Sequence, residues 1–323
     1  MKVLITGGAG FIGSHLAEAC LKRGDDVYII DDLSTGSLDN IKFLQEAGRY
    51  NNRLFVTVDS IFNHDKLLEL VGICDIVFHL AAAVGVRYIL EHPLESIIAN
   101  IDGTKVVLEL CNKFKKKVLV TSSSEVYGKQ TNDSLAETDD VVYGPSCKSR
   151  WSYATSKLLD EFLALAYYRT KGLNTIIVRL FNTVGPRQTG AYGMVIPRFV
   201  SQALKGGPIT VYGDGKQTRT FTYVKDVVDA LIRLMEVPGA VGEVFNIGGN
   251  EEISIKELAL KIKKMTSSDS EIRYIPYDEA FEKNFEDMRR RVPSLEKIRG
   301  LIGFEPKTDL DSILKSVIEW IRG

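Results

Sequence analysis

Tyr153 and Lys157 stand in the segment Tyr153-Ala154-Thr155-Ser156-Lys157, a spacing of four that puts both on one face of a helix. Upstream, Thr121-Ser122-Ser123-Ser124-Glu125-Val126-Tyr127 leaves the end of an apolar run. A phenol, an ammonium and a hydroxyl brought together suit hydride removal from a carbinol, which needs a base for the hydroxyl proton. A free tyrosine titrates near ~10, too high for that task at neutral pH. A neighbouring cation favours phenolate, so Lys157 is expected to bring Tyr153 into working range. Ser123 would hydrogen-bond the same substrate oxygen. Alone, Tyr153 reads as a packing aromatic and Ser123 as a turn cap.

The hydride needs an acceptor, and the N-terminus suggests one. The run Val3-Leu4-Ile5-Thr6 leads into Gly7-Gly8-Ala9-Gly10-Phe11-Ile12-Gly13, which is G-x-x-G-x-x-G between a strand and a helix. Glycine there lets the backbone turn tightly and approach a pyrophosphate whose charge sits on the helix N-terminus. Asp31 follows at the end of the second apolar run. A carboxylate there accepts both ribose hydroxyls and repels a 2′-phosphate, which favours NAD over NADP. The positive nicotinamide would then join Lys157 in favouring the phenolate.

These groups require a scaffold that brings strand ends together. The first half alternates short apolar runs, Val3–Thr6, Val27–Ile30, Leu54–Val58, Asp75–His79, Val118–Thr121 and Thr175–Val178, with helical patterns at Phe11–Arg23, Pro93–Phe114 and Trp151–Thr170. Such alternation predicts an α/β fold, a Rossmann doubly wound parallel sheet whose carboxyl strand ends face the cofactor crevice. After Phe181 the pattern changes, and helices return at Ile196–Leu204, Val224–Met235, Ser254–Met265 and near the C-terminus. The expected division is a dinucleotide-binding domain over 1–180, with return segments near 221–249, and a smaller substrate lobe over 181–323. Phe245–Gly248 is expected to return to the sheet.

The 323 residues carry 41 Lys+Arg against 42 Asp+Glu, a net charge of -1. That balance argues against nucleic acid or an anionic membrane as the main partner. Cys20, Cys74, Cys111 and Cys147 are dispersed, as are His15, His64, His79 and His92, so neither a disulfide framework nor a metal site is expected. His79 reads as a strand-end packing residue. No apolar run approaches the ~18 residues that span a bilayer, and the start does not read as a signal peptide. A cytoplasmic protein is expected.

The ordered motifs resemble the extended short-chain dehydrogenase/reductase family that modifies nucleotide sugars. They include Thr6 to Gly13, Asp31 to Ser34, His79 to Ala82, Asn100 to Thr104, Ser122 to Gly128, Tyr153 to Lys157, Arg179 to Arg187 and Val211 to Arg219, and so cover nearly the whole chain. The resemblance implies that Gly7, Gly10, Phe11, Ile12, Gly13, Asp31, Asp32, Ser34, Asp59, Ser60, Leu80, Ala81, Asn100 and Ser122 hold NAD together with Tyr153 and Lys157, Asp59 and Ser60 meeting the adenine. It implies that Asn182 and Arg219 hold a sugar-nucleotide diphosphate and that Tyr212, Val195 and Arg198 border the base. Arg187 joins these substrate contacts, and Arg291 is a further diphosphate or ribose candidate. It also implies a homodimer formed through the helices near 93–114 and 151–170.

In enzymes of this kind the sugar C4 hydroxyl is oxidised first, and the next step sets the reaction. Glu125 after Ser124, where 4,6-dehydratases acting on dTDP-glucose carry Asp-Glu, resembles UDP-glucuronate decarboxylases and GDP-mannose 4,6-dehydratases. Arg150-Trp151 just before Tyr153 resembles UDP-glucuronate decarboxylases, with Arg150 meeting a substrate carboxylate. Ser123, Tyr153, Lys157, Glu125 and Ser124 form the expected catalytic set. Phe181 to Gly190 and Met194 to Arg198 also resemble UDP-sugar 4-epimerases. Decarboxylation of UDP-glucuronate is therefore expected first, 4-epimerisation second and 4,6-dehydration third, with a non-catalytic NAD sensor last.

Overall fold

A computed structural model describes residues 1–46, 50, 52–190, 194–280 and 288–323. Its centre is a sheet of parallel strands in the order Val244–Ile247, Thr175–Leu180, Lys117–Ser123, Ile76–His79, Lys2–Thr6, Asp26–Asp31 and Leu54–Val58. The run Val3-Leu4-Ile5-Thr6 is wholly buried, as expected of a strand covered on both faces. Each expected strand is present, and the return of Val244–Ile247 places it beside Thr175–Leu180. The Lys117–Ser123 strand runs two residues beyond the expected end, so Ser122 and Ser123 still lie in the sheet.

Helix Phe11–Arg23 covers one face with Val224–Glu236, while Pro93–Phe114 packs against Arg150–Lys171 on the other. Gly24, in the left-handed region at φ 96°, ends the first helix as its residue type suggests. Short helices at Asp39–Glu46, His64–Ile73 and Val86–Glu91 were not expected from the sequence pattern.

A separate core of Ile196, Phe199, Val211, Leu258, Ile313 and Val317 holds together the helices Val195–Leu204, Ile255–Met265 and Leu310–Arg322. A small sheet joins this region to the strand ends. Thr218–Thr220 is flanked by antiparallel Glu252–Ser254 and parallel Arg290–Arg291, which sets Arg291 opposite Arg219. The chain then pairs with residues from the first half, because Leu135 N donates to Val292 O and Ser294 N to Leu135 O. No described helix is long and apolar enough to cross a membrane.

Candidate active site

The carboxyl ends of the strands open into a cavity of about 910 Å³. Every residue singled out above for cofactor, substrate or chemistry contributes to its wall except Asn100.

The glycine loop occupies one end. Gly7 has φ 72°, and a Cβ there would lie 2.8 Å from Ala81 N, so the turn needs glycine for conformation and for space. A Cβ on Gly13 would stand 2.1 Å from Gly7 O, so this glycine lets the helix meet the loop. Gly10 caps Phe11–Arg23 without a side-chain hydrogen bond, and the first turn carries no acidic residue. The first-turn amides of Phe11, Ile12 and Gly13 have no helical acceptor of their own and face the cavity, a ready anion site.

Asp31 ends its strand nearly buried. Its carboxylate accepts from Ala9 N and Leu33 N, each at 2.9 Å. Burial raises its proton affinity above the ordinary value, against those amide bonds. Asp59 receives Ser60 N and Asn63 Nδ2, both at 2.7 Å, and lines the same end with Ser60.

Two residues expected at the cofactor are placed differently from the rest. Asn100 is buried behind the wall, where its Oδ1 accepts Ala83 N at 2.8 Å and its Nδ2 reaches Ser156 Oγ at 3.2 Å. It shapes the loop after His79 instead of facing a ligand. Ser122 turns its hydroxyl into the interior, donating to Glu161 Oε1 at 2.5 Å, so only the rest of the residue meets the cavity. The same carboxylate holds Arg179 through two bonds of 3.0 and 2.8 Å.

Arg187 also moves from its expected place. Its guanidinium pairs with Glu18 and lies 4.5 Å over the Phe43 ring, which ties it to the glycine-loop helix and away from the sugar-facing arginines. Its φ of 68° is in the left-handed region.

At the centre, Ser123 hydrogen-bonds Tyr153, and the phenol stays above its ordinary value. Burial is the main cause, followed by the Glu125 carboxylate; the Ser123 bond and Arg291 oppose them. The Lys157 ammonium is claimed by Asp160, Nζ to Oδ2 at 2.7 Å, and that carboxylate acts on the phenol in the opposite sense.

Beside Tyr153 lies an assembly the sequence showed only in part. Glu125 accepts from Arg150 Nη2 at 3.2 Å and from Arg291 Nη1 at 2.7 Å, and the latter also reaches Ser124 Oγ at 3.1 Å. Arg291, expected at a diphosphate or ribose, thus stands against Ser124 and Glu125 beside Tyr153. Its signal was the last of three consecutive arginines, Arg289 to Arg291, in a two-residue strand, and no local pattern distinguishes it from its neighbours.

Further out, Arg198 stacks 4.0 Å from the Tyr212 ring centroid, and its Nε and Nη1 are buried without a hydrogen-bond partner. Such donors call for an anionic acceptor. Arg219 is 6% exposed, and its Nη1 donates to Thr218 O at 2.8 Å. Asn182 Nδ2 donates to Thr220 O at 2.9 Å, which holds it beside the strand that carries Arg219. Val195 opens its helix at the same wall. Among the described residues no group of three or more His, Cys, Asp or Glu is arranged to hold a metal ion.

A parallel α/β sheet, a glycine turn against a helix N-terminus and a Ser–Tyr–Lys centre define an extended short-chain dehydrogenase/reductase. The chain belongs to the family described as GDP-mannose 4,6 dehydratase, whose model matches residues 4–317. It is 44% identical over 322 residues to a UDP-N-acetyl-alpha-D-glucosaminuronate decarboxylase of Bacillus cytotoxicus, covering 99% of this chain and 98% of that one. It is 34% identical to UDP-glucuronic acid decarboxylase 4 of Arabidopsis thaliana, over 100% of this chain and 69% of the other. Among solved structures, the UDP-glucuronic acid 4-epimerase of Bacillus cereus, in complex with UDP-glucuronic acid and NAD, superposes with a TM-score of 0.89 at 29% identity, covering 100% and 99% of the two chains.

Proposed function

We propose that this protein is an NAD-dependent decarboxylase of a UDP-linked hexuronate, glucuronate or its 2-acetamido counterpart. The observation that carries the reading is the Arg150–Glu125–Arg291 assembly beside Tyr153. The relatives from Bacillus cytotoxicus and Arabidopsis thaliana, both named as uronate decarboxylases, support it.

NAD, when bound, supplies a reversible hydride acceptor for C4 of the sugar. Tyr153 takes the C4 hydroxyl proton while Ser123 holds the same oxygen. Arg150 and Arg291 orient the C6 carboxylate. Once C4 is a ketone, that carboxylate is β to a carbonyl. The C5–C6 bond then breaks, its electron pair passes into the C5–C4–O4 enolate, and carbon dioxide leaves. C5 takes a proton from the side of Ser124 and Glu125. Arg198, stacked on Tyr212, and Arg219 receive the diphosphate, the lobe over 181–323 supplying most of that end.

The test is incubation with NAD and either UDP-glucuronate or UDP-N-acetylglucosaminuronate, followed by NMR. A UDP-pentose or its 4-keto form, with carbon dioxide released, is expected. Conversion to the C4 epimer with C6 retained would replace this reading with 4-epimerisation, which the fold agreement with the Bacillus cereus enzyme favours.

The working unit is proposed to be a homodimer. Leu94 and Ile98 on one helix and Leu159 and Phe162 on its neighbour are 64%, 44%, 40% and 61% exposed, an apolar face on the packed helix pair. Sedimentation should give a dimer for the wild type and a monomer for Phe162→Glu.

A further inference from the structure

Asp160 has no place in the chemistry described so far. It follows Lys157 by one turn on the same helix and is fully buried. Its Oδ2 accepts from Lys157 Nζ at 2.7 Å. The Thr104 hydroxyl faces the carboxylate.

Behind Thr104 runs a row of buried polar groups. Thr104 Oγ1 lies 3.1 Å from His79 Nε2, and His79 Nδ1 lies 2.8 Å from Thr6 Oγ1. Thr6 Oγ1 in turn accepts Ala81 N at 3.2 Å, in the wall of the cofactor cavity. The direction of the row follows from its end. A carboxylate only accepts, so the Thr104 proton points at Asp160. The Thr104 oxygen then accepts from His79 Nε2–H. Nδ1 is left bare and accepts from the Thr6 hydroxyl, whose oxygen takes the Ala81 amide. Burial, and after it the Lys157 charge, depresses His79 to about 3, so the ring is neutral.

We propose that Asp160 is the positioning residue of Lys157, held from behind by Thr104 and His79, and that its carboxylate is a fixed counter-charge to the lysine at Tyr153. Lys157 cannot leave Asp160 without stranding a buried charge, a costly outcome. The lysine therefore keeps its place, and the pair presents little net charge to the phenol. The inference rests on Tyr153 being the proton acceptor. The charged groups around that phenol are Lys157, Asp160 and Arg150 from its own helix, Glu125 from the Ser123 segment and Arg291 from the small sheet.

Asp160→Asn keeps the shape and removes the charge. The acidic limb of kcat/KM should move to lower pH by on the order of one unit, because an unopposed lysine favours phenolate. Thr104→Val should move it the same way by less, since Asp160 then holds a proton more readily. Nitrogen NMR of wild-type His79 should show Nε2 protonated and Nδ1 bare, with no titration between about pH 5 and 8. An acidic limb that stays or moves upward in these variants overturns the proposal, as does the opposite tautomer. If Asp160→Asn does not fold, Thr104→Val and the His79 spectrum decide. Wild-type turnover in Tyr153→Phe would instead remove the reading on which the proposal rests.

Discussion

Arg291 Nη1 lies 2.7 Å from Glu125 Oε1, although 166 positions separate the two residues in the chain. The contact joins the last strand of the small sheet to the turn that follows Ser123. Because Arg150 shares the same carboxylate, Glu125 holds two forks in place for a third group.

Arg291→Lys keeps the charge but loses the planar fork. Turnover of a UDP-hexuronate should fall at least tenfold, the effect expected when a partly buried charge pair is broken. C4 oxidation of UDP-glucose, which has no C6 carboxylate, should fall much less. Comparing initial rates on the two substrates checks this, and equal losses would separate Arg291 from the carboxylate.

Tyr153→Phe removes the proton acceptor and keeps the ring. A rate loss of roughly 10²–10⁴ is expected, with NAD affinity and thermal melting close to wild type. Calorimetric titration and melting curves distinguish lost chemistry from lost structure.

NAD should bind much more tightly than NADP, because the Asp31 carboxylate and a 2′-phosphate would repel in a partly dry site. Asp31→Asn should narrow the ratio mainly by strengthening NADP. Equal affinities for the two cofactors in the wild type would remove Asp31 from the ribose site.

Much of the scaffold was legible because a strand covered on both faces announces itself locally, as Val3 to Thr6 and Val118 to Thr121 do. The glycine loop was legible for the same reason, since its demands fall within a few residues. Arg291 was named, but its partner was not legible, because a two-residue strand carries no periodicity and Glu125 comes from the first half of the chain. Ser122 and Asn100 carry the right residue types, yet the sequence does not say which way a polar side chain turns. Glu161 and Ser156, their partners, lie on another element. The surroundings of Lys157 were not legible either: Asp160, one helical turn on, holds the ammonium on which the Tyr153 expectation relied.

Acid should destabilise the fold through two histidines. Burial chiefly lowers His15 to about 4 and His79 to about 3, from 6.5. Both are neutral when folded, and the unfolded chain binds their protons first as pH drops below 6.5. Their contribution is complete above that value and is lost as pH falls toward the folded values. Urea unfolding followed from pH 7 to about 4 should show this decline, and it should be shallower in His15→Gln.

The small sheet built on Thr218–Thr220 also sets an order of assembly. As the chain is synthesised, every strand of the central sheet is present once Val244–Ile247 has emerged, and with them the glycine loop and Asp31. Arg290–Arg291 arrives later and docks on a strand already made. A chain ending before Arg290 therefore has every strand of the central sheet, but Glu125 lacks its bond from Arg291. The glycine-loop end of the cavity thus draws on residues made early in synthesis, and the end around Glu125 is completed only by the C-terminal segment.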